Sequence, residues 1–331
     1  MKPFLILVFV ISISGCNQPP KSPLEIALSK GSDDFQETLE NPSHEIQIIY
    51  GQITEDSVVH HYYQVDPTTY FYPASTVKMP VAFAAVKKAE ELGISLDDRL
   101  MIDSTAVYRR SLVYDSTFQD SIRLQTLIQK IFTVSDNSAY NTLYGWLGKD
   151  YINECYGSFG MKTRIVHQLG ERAFSFDPKS NGYRRQSRVI TSKLDTIFQT
   201  EKEETFEPQI SLKGEEKGLG FVDSLGIHRE GAFDFSQKNF ILLEDLLKSL
   251  EMAARPDLTN GGFEFSYVNQ QFLIDAMSML PRDMPVPYDT LSDNYVKFLL
   301  FGNEQSGSIP ENFKIMNKVG WAYGYLLDVA Y

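Results

Sequence analysis

Cysteine is scarce in this chain. Only Cys16 and Cys155 occur in 331 residues, so the fold must rest on a core of its own rather than on cross-links. Histidine is scarce too. His44, His60, His61, His167 and His228 never fall into a metal-ligand spacing such as His-Glu-x-x-His. His60 and His61 are neighbours in a predicted strand and face opposite ways. A metallo-hydrolase is therefore not expected, and no metal or other cofactor is implied. No basic run or aromatic-basic stripe is present, and the net charge is −12, which argues against a nucleic-acid partner. No repeats appear, and nothing after residue 16 has the roughly 20 apolar residues that a membrane-crossing helix needs.

What is present reads as a globular protein. Apolar residues make up 43% and charged residues 22%, enough for one or two domains with a sizeable core. The N-terminus stands apart. Lys2 precedes a short apolar stretch, Phe4 to Ile13, and then Ser14-Gly15-Cys16. This is the pattern of a secretory signal over residues 1–15, and the cysteine after Ile-Ser-Gly resembles a lipoprotein cleavage box. Cleavage there makes Cys16 a lipid-modified N-terminus, and the protein is expected to be exported and membrane-anchored in a bacterial envelope. The alternative is an ordinary signal sequence with an incidental cysteine. Residues 16–23 are a proline-rich tether. With Cys16 carrying lipid, Cys155 has no partner and is expected to be a small buried residue in a helix.

Residues 24–331 are expected to form the folded domain. Leu24 to Leu39 has helical spacing interrupted at Gly31. Glu45–Ile53 and Val58–Val65 alternate as a hairpin. Leu124–Phe132 and Ala139–Leu147 are predicted helices, the second stopped by Gly148, and Asn239–Ala254 and Gln270–Leu280 are two more. Ile315–Trp321 and Gly324–Tyr331 read as strands. A charged, glycine-rich stretch over about 196–235 is expected to be a surface insertion.

The chemistry begins at Tyr72-Pro73-Ala74-Ser75-Thr76-Val77-Lys78. Ser-x-x-Lys puts a hydroxyl and an amine one helical turn apart on one face. A serine hydroxyl is a weak nucleophile until its proton is taken, and a lysine of depressed pKa can take it. The apolar run from Val81 to Gly93 predicts a buried helix, with Ser75 at its N-terminus, where the backbone favours negative charge. Two further short motifs follow in order, Ser135-Asp136-Asn137 and Lys318-Val319-Gly320. Ser-x-x-Lys, then Ser-Asp-Asn, then Lys-Thr-Gly is the signature of class A β-lactamases and penicillin-binding proteins, and this chain resembles that family.

The resemblance implies a two-lobed α+β fold, an antiparallel sheet flanked by helices with an all-helical lobe beside it. It implies acyl transfer through a Ser75 ester, with Lys78 as base and Ser135 relaying a proton to the leaving nitrogen. The backbone N–H groups of Ser75 and Trp321, the residue after Gly320, would form the oxyanion hole. Asn137 would hold a substrate amide, and Lys318 a substrate carboxylate. The expected substrate is a β-lactam, with a D-alanyl-D-alanine peptide as the alternative. A catalytically silent binding protein on the same scaffold is the third reading. The protein is expected to be a monomer.

The chain departs from the family in two places. Val319 replaces the threonine whose hydroxyl helps hold the carboxylate. The glutamate that activates the deacylating water has no clear equivalent. Alignment on Thr163-Arg164 places Leu169 there, whereas spacing from Ser135 favours Glu171. A second Ser-Asp-Asn, at Ser292-Asp293-Asn294, is expected only to cap a helix beginning near Tyr295. The run Gly324–Tyr331 ends within an apolar strand, so by resemblance a last strand and a C-terminal helix are expected beyond it.

Overall fold

The computed structural model describes residues 21–102, 123–170, 181–223, 225–259, 261–284, 288, 290–302 and 307–331. The predicted signal sequence, Cys16 and Glu171 lie outside the described residues. The chain divides into two units, 1–65 and 66–331.

In the first unit Ser22 opens helix α1 (Pro23–Leu28) with a capping box. Its hydroxyl accepts the Glu25 N–H, and the Glu25 carboxylate accepts the Ser22 N–H. Ser32 caps α2 (Asp33–Glu40). The helical spacing from Leu24 to Leu39 thus becomes two helices, broken at Gly31. Strands β1 (Ile48–Ile53) and β2 (Val58–Tyr63) form the antiparallel hairpin that their alternation predicts, with Gly51 opposite His60.

The second unit is built on α3 (Lys78–Glu91). Val81, Ala82, Phe83, Ala84, Ala85 and Val86 are all fully buried, as expected of a helix that is apolar all round. Its alanines let α4 (Leu124–Thr133) and α5 (Asn137–Leu147) pack closely against it. The buried faces bring Ile128, Phe132, Tyr140 and Trp146 to the core. Full burial of such a side chain contributes roughly 1.5–3 kcal/mol. Gly148 ends α5 at φ 79, and α6 (Lys149–Gly157) follows. Cys155 lies buried on α6 as a free thiol, and burial pushes it up to about 11.

Strand pairing in the described ladders is antiparallel throughout, spread over two- and three-stranded pieces. β3 (Arg99–Ile102) pairs with β5 (Ser187–Ile190), and β5 with β6 (Thr196–Gln199). β4 (Thr163–Arg164) pairs with β7 (Phe240–Ile241). β8 (Asn317–Ala322) pairs with β9 (Tyr325–Ala330) in the register Lys318 opposite Val329. The fold is α+β. Short hairpins occupy much of the charged stretch, among them 220–222 with 228–230 and 216–217 with 233–234.

Two expectations are corrected here. The helix predicted from Asn239 starts later, as α7 (Leu243–Ala254), because Phe240 and Ile241 are claimed by β4. The helix predicted near Tyr295 is a single 3-10 turn, Asp293–Val296, and the Ser292 side chain makes no capping bond. Asp293 instead ties distant segments together, accepting from Arg282 and from the Ile309 N–H. The last described helix, α8 (Tyr267–Ser278), is capped by Ser266.

Candidate active site

Ser75 lies in a 3-10 turn, Ala74–Val77, immediately ahead of α3. The Pro73 carbonyl closes this turn by accepting the Thr76 N–H at 3.0 Å and the Thr76 hydroxyl. Ala74 is left-handed, at φ 46, a conformation that costs a residue with a Cβ roughly 1–2 kcal/mol. Ser135 (φ 54) and Tyr323 (φ 54) share this strain. Non-glycine residues of this kind cluster where a site is held in a fixed geometry.

Lys78 is the first residue of α3 and is fully buried. Its Nζ donates to the Ser135 carbonyl and, at 3.1 Å, to Ser135 Oγ. The left-handed backbone of Ser135 turns that carbonyl toward the amine. Burial pushes Lys78 down to about 7, against a smaller upward pull from Asp136. Asp136 itself caps α5, accepting the Ala139 N–H at 2.9 Å. Lys318, on β8, reaches the same hydroxyl from the other side. Its Nζ donates to Ser135 Oγ at 2.9 Å and to the Val319 carbonyl at 2.9 Å. Lys318 is 1% exposed, and burial first, then Lys78, holds it well below the ordinary lysine range. Two depressed amines therefore share one serine hydroxyl, an arrangement through which a proton can pass.

Gly320 brings β8 against the Ser75 turn. A Cβ there would lie 2.8 Å from the Pro73 carbonyl oxygen and 3.0 Å from the Ser75 nitrogen, so only glycine allows the approach. Trp321, the next residue, is on the wall of a cavity of about 240 Å³ that also takes in Ser75, Asn137, Leu169 and Tyr323. Asn137 sits against Gly170, whose φ of +89 and whose close approach to the Asn137 amide again require glycine.

The far wall, His167 to Gly170, has no strand partner of its own. Buried asparagines satisfy its backbone instead. Asn239 Oδ1 accepts the Val166 and His167 N–H groups at 2.8 and 3.1 Å, and its Nδ2 donates to the His167 carbonyl at 3.0 Å. Asn141 exchanges two bonds of 2.8 Å with the Leu169 backbone. His167 Nδ1 donates to the Gln168 carbonyl, and burial favours the neutral imidazole, whose Nε2 finds no hydrogen-bond partner among the described residues. Burial pushes it down to about 3. Leu169, the position that alignment on Thr163-Arg164 offers in place of a glutamate, lines the cavity at this wall and packs into the buried core.

Ser75, Lys78, Ser135, Asn137, Lys318, Gly320 and Trp321 are thus brought together. The sequence reading missed Asn141, Asn239, His167 and Lys238. Asn239 bonds residues more than 70 positions away, and its place before an amphipathic run suggested only a helix start. No local signal identifies it.

The family model described as the beta-lactamase enzyme family matches residues 32–200 of this chain. No curated protein matches it. Among solved structures it is similar to a class A β-lactamase from Bacteroides cellulosilyticus DSM 14838, at 16% identity and a TM-score of 0.47, covering 87% of this chain and 76% of that one. It is also similar to a class A β-lactamase from Mycobacterium abscessus, at 14% identity and a TM-score of 0.45, covering 90% and 82%. A class A β-lactamase described as that of the last common ancestor of Gram-negative bacteria is similar at 16% identity and a TM-score of 0.46, covering 90% of this chain and 82% of that one.

Proposed function

Because the chain belongs to the β-lactamase enzyme family, we propose that it is a serine hydrolase that opens β-lactam amides through an ester on Ser75. The observation that carries this reading is the pair of depressed lysines on one hydroxyl, Lys78 and Lys318 on Ser135 Oγ, beneath the turn that bears Ser75. Ser75 Oγ bonds to the amide carbon and gives its proton to neutral Lys78. The carbonyl oxygen takes up the negative charge between the N–H groups of Ser75 and Trp321, where each preorganised donor is worth about 3 kcal/mol. The C–N bond then breaks as the Ser135 hydroxyl passes a proton to nitrogen and is reprotonated from the lysines. Water completes the cycle by attacking the ester.

Export with a lipid on Cys16 belongs to the same proposal. Cys16→Ala would move the protein from the membrane fraction to the soluble one.

A second reading has one observation in its favour. None of the described residues lining the cavity is a carboxylate, which suits an enzyme that acylates readily and deacylates slowly, as one acting on D-alanyl-D-alanine peptides does with penicillin. Intact mass after incubation with benzylpenicillin separates the readings. Turnover with little adduct supports the lactamase, and a lasting adduct on Ser75 supports the peptidase-like enzyme. No adduct and no turnover would overturn both.

A further inference from the structure

A third buried amine is bonded to the strand that carries Lys318. Lys297 follows the Asp293–Val296 turn and is 1% exposed. Its Nζ donates to the Met277 carbonyl at 2.7 Å, the Ile315 carbonyl at 2.8 Å and Asn317 Oδ1 at 2.6 Å. Asn317 precedes Lys318 on β8 and is fully buried. Its Nδ2 donates to the Val296 carbonyl at 2.9 Å and to Asp328 Oδ1 at 2.7 Å. Asp328, opposite Val319 on β9, accepts the Phe298 and Leu299 N–H groups on Oδ2 at 3.1 and 3.0 Å. One amide thus joins an amine to a carboxylate at the residue next to Lys318.

The acceptors distinguish the three amines. An ammonium has three N–H bonds and a neutral amine two. Lys297 meets three oxygens, so only its ammonium serves them all. Among the described residues Lys78 meets two, both on Ser135, and Lys318 meets two, Ser135 Oγ and the Val319 carbonyl. A neutral amine suffices at either. The charges agree with this count. Burial and then Lys78 weigh most against a proton on Lys318, while Asp328 favours one and Lys297 opposes it. Burial pushes Lys297 itself down to about 8, with Asp328 and Asp283 pulling upward, so it is charged at neutral pH. Burial raises the Asp328 carboxyl, and its hydrogen bonds and Lys297 oppose that. Asp136, 3.9 Å from Lys130, is the carboxylate that bears on Lys78.

We propose that Lys297 and Asp328 are positioning residues of the Ser75 site: an opposed charge pair joined through Asn317, they determine whether Lys318 is charged and so how a proton is shared between the two amines on Ser135 Oγ. The consequence for catalysis rests on the Ser75 acyl-transfer reading. A proton on Lys318 repels one from Lys78, so the pair reaches the base through Lys318.

The test follows the Lys318 side chain by carbon-13 NMR of labelled lysine against pH, the signal being assigned with Lys318→Arg. Lys297→Met removes the cation and Asp328→Asn the anion. The Lys318 midpoint should rise by about one pH unit or more in Lys297→Met, fall in Asp328→Asn, and return close to wild type in the double variant. Water admitted to the core would raise it in both single variants, so a rise in both overturns the proposal. An unmoved midpoint in Lys297→Met also overturns it. If neither single variant folds, the wild type decides: as pH rises Lys318 should lose its proton before Lys297, and the reverse order overturns the proposal. Acylation by benzylpenicillin is followed on the same proteins by intact mass. Its midpoint should move opposite to that of Lys318, and movement in the same direction would overturn the transmission to Lys78. If Lys318 shifts as stated in a protein that is never acylated, the charge pair stands and the Ser75 reading fails. Acylation with Lys318 unmoved in both variants is the reverse.

Discussion

Gly320 and Ser75 touch backbone to backbone. A Cβ at 320 would lie 3.0 Å from the Ser75 nitrogen, 3.0 Å from the Thr76 nitrogen and 2.8 Å from the Pro73 oxygen. All three are main-chain atoms of a closed turn and cannot swing aside. Gly320→Ala must therefore push β8 away from the nucleophile and carry the Trp321 N–H with it. Displacing one oxyanion donor costs about 10²–10³ in rate. Overpacking costs about 1–3 kcal/mol in stability. Stopped-flow acylation should show that loss in a protein that still unfolds cooperatively. Acylation within a few-fold of wild type would mean that the contact does not set the geometry.

Lys78 sets a pH profile. Burial pushes its amine down to about 7, and only the neutral amine can accept the Ser75 proton. Acylation should rise with pH up to about 7 and level off above it. Lys78→Arg stays protonated throughout and should lose about 10²–10⁴ in rate at every pH. A flat profile in the wild type between pH 5 and 9 would show that some other group takes the proton.

The parts of this site that were legible in the sequence are those whose partners are close along the chain or belong to a short recognisable motif. Ser75 and Lys78 share a helical turn. Lys318, Val319 and Gly320 are consecutive on a strand. The cavity's far wall was not legible, because it is built by long-range side-chain bonds. Asn239 acts on Val166 and His167, Asn141 acts on Leu169, and β7 forms only because Thr163 and Arg164 lie beside it. Phe240 and Ile241 fit the amphipathic spacing of the following helix equally well, so their tertiary pairing decided the outcome. Asp293 shows the same limit. Its motif resembled a cap, and its carboxylate serves residues 282 and 309 instead.

Deacylation should be slow. Leu169 offers the cavity no proton acceptor, and its backbone is fixed there by Asn141. Nitrocefin hydrolysis should show a burst of one equivalent followed by a slower steady state. Leu169→Glu would place a partly buried carboxylate on the same wall, with its pKa raised toward neutrality. It should speed the steady state about 10-fold or more, given what a positioned base contributes. Rapid burst-free turnover in the wild type that disappears in Glu171→Gln would instead assign the base to Glu171.

The asparagine supports of the wall can be tested one at a time. Asn239 is fully buried, and removal of its side chain strands the Val166 and His167 N–H groups, while the His167 carbonyl keeps the Tyr140 hydroxyl as a donor. Each buried polar group left unpaired costs about 1–3 kcal/mol, so Asn239→Ala should lower the melting temperature by several degrees or more. Asn141→Ala strands the Leu169 N–H and carbonyl and should cost a comparable amount. Hydrogen exchange distinguishes the two. In Asn141→Ala the Leu169 amide should lose protection while Val166 and His167 keep theirs, and Asn239→Ala should give the opposite pattern. Both variants let the Leu169 side of the cavity move relative to Ser75, so both should weaken acylation more than their melting temperatures alone imply. If all three amides lose protection together in either variant, the wall opens as one unit, and the asparagines do not hold it independently.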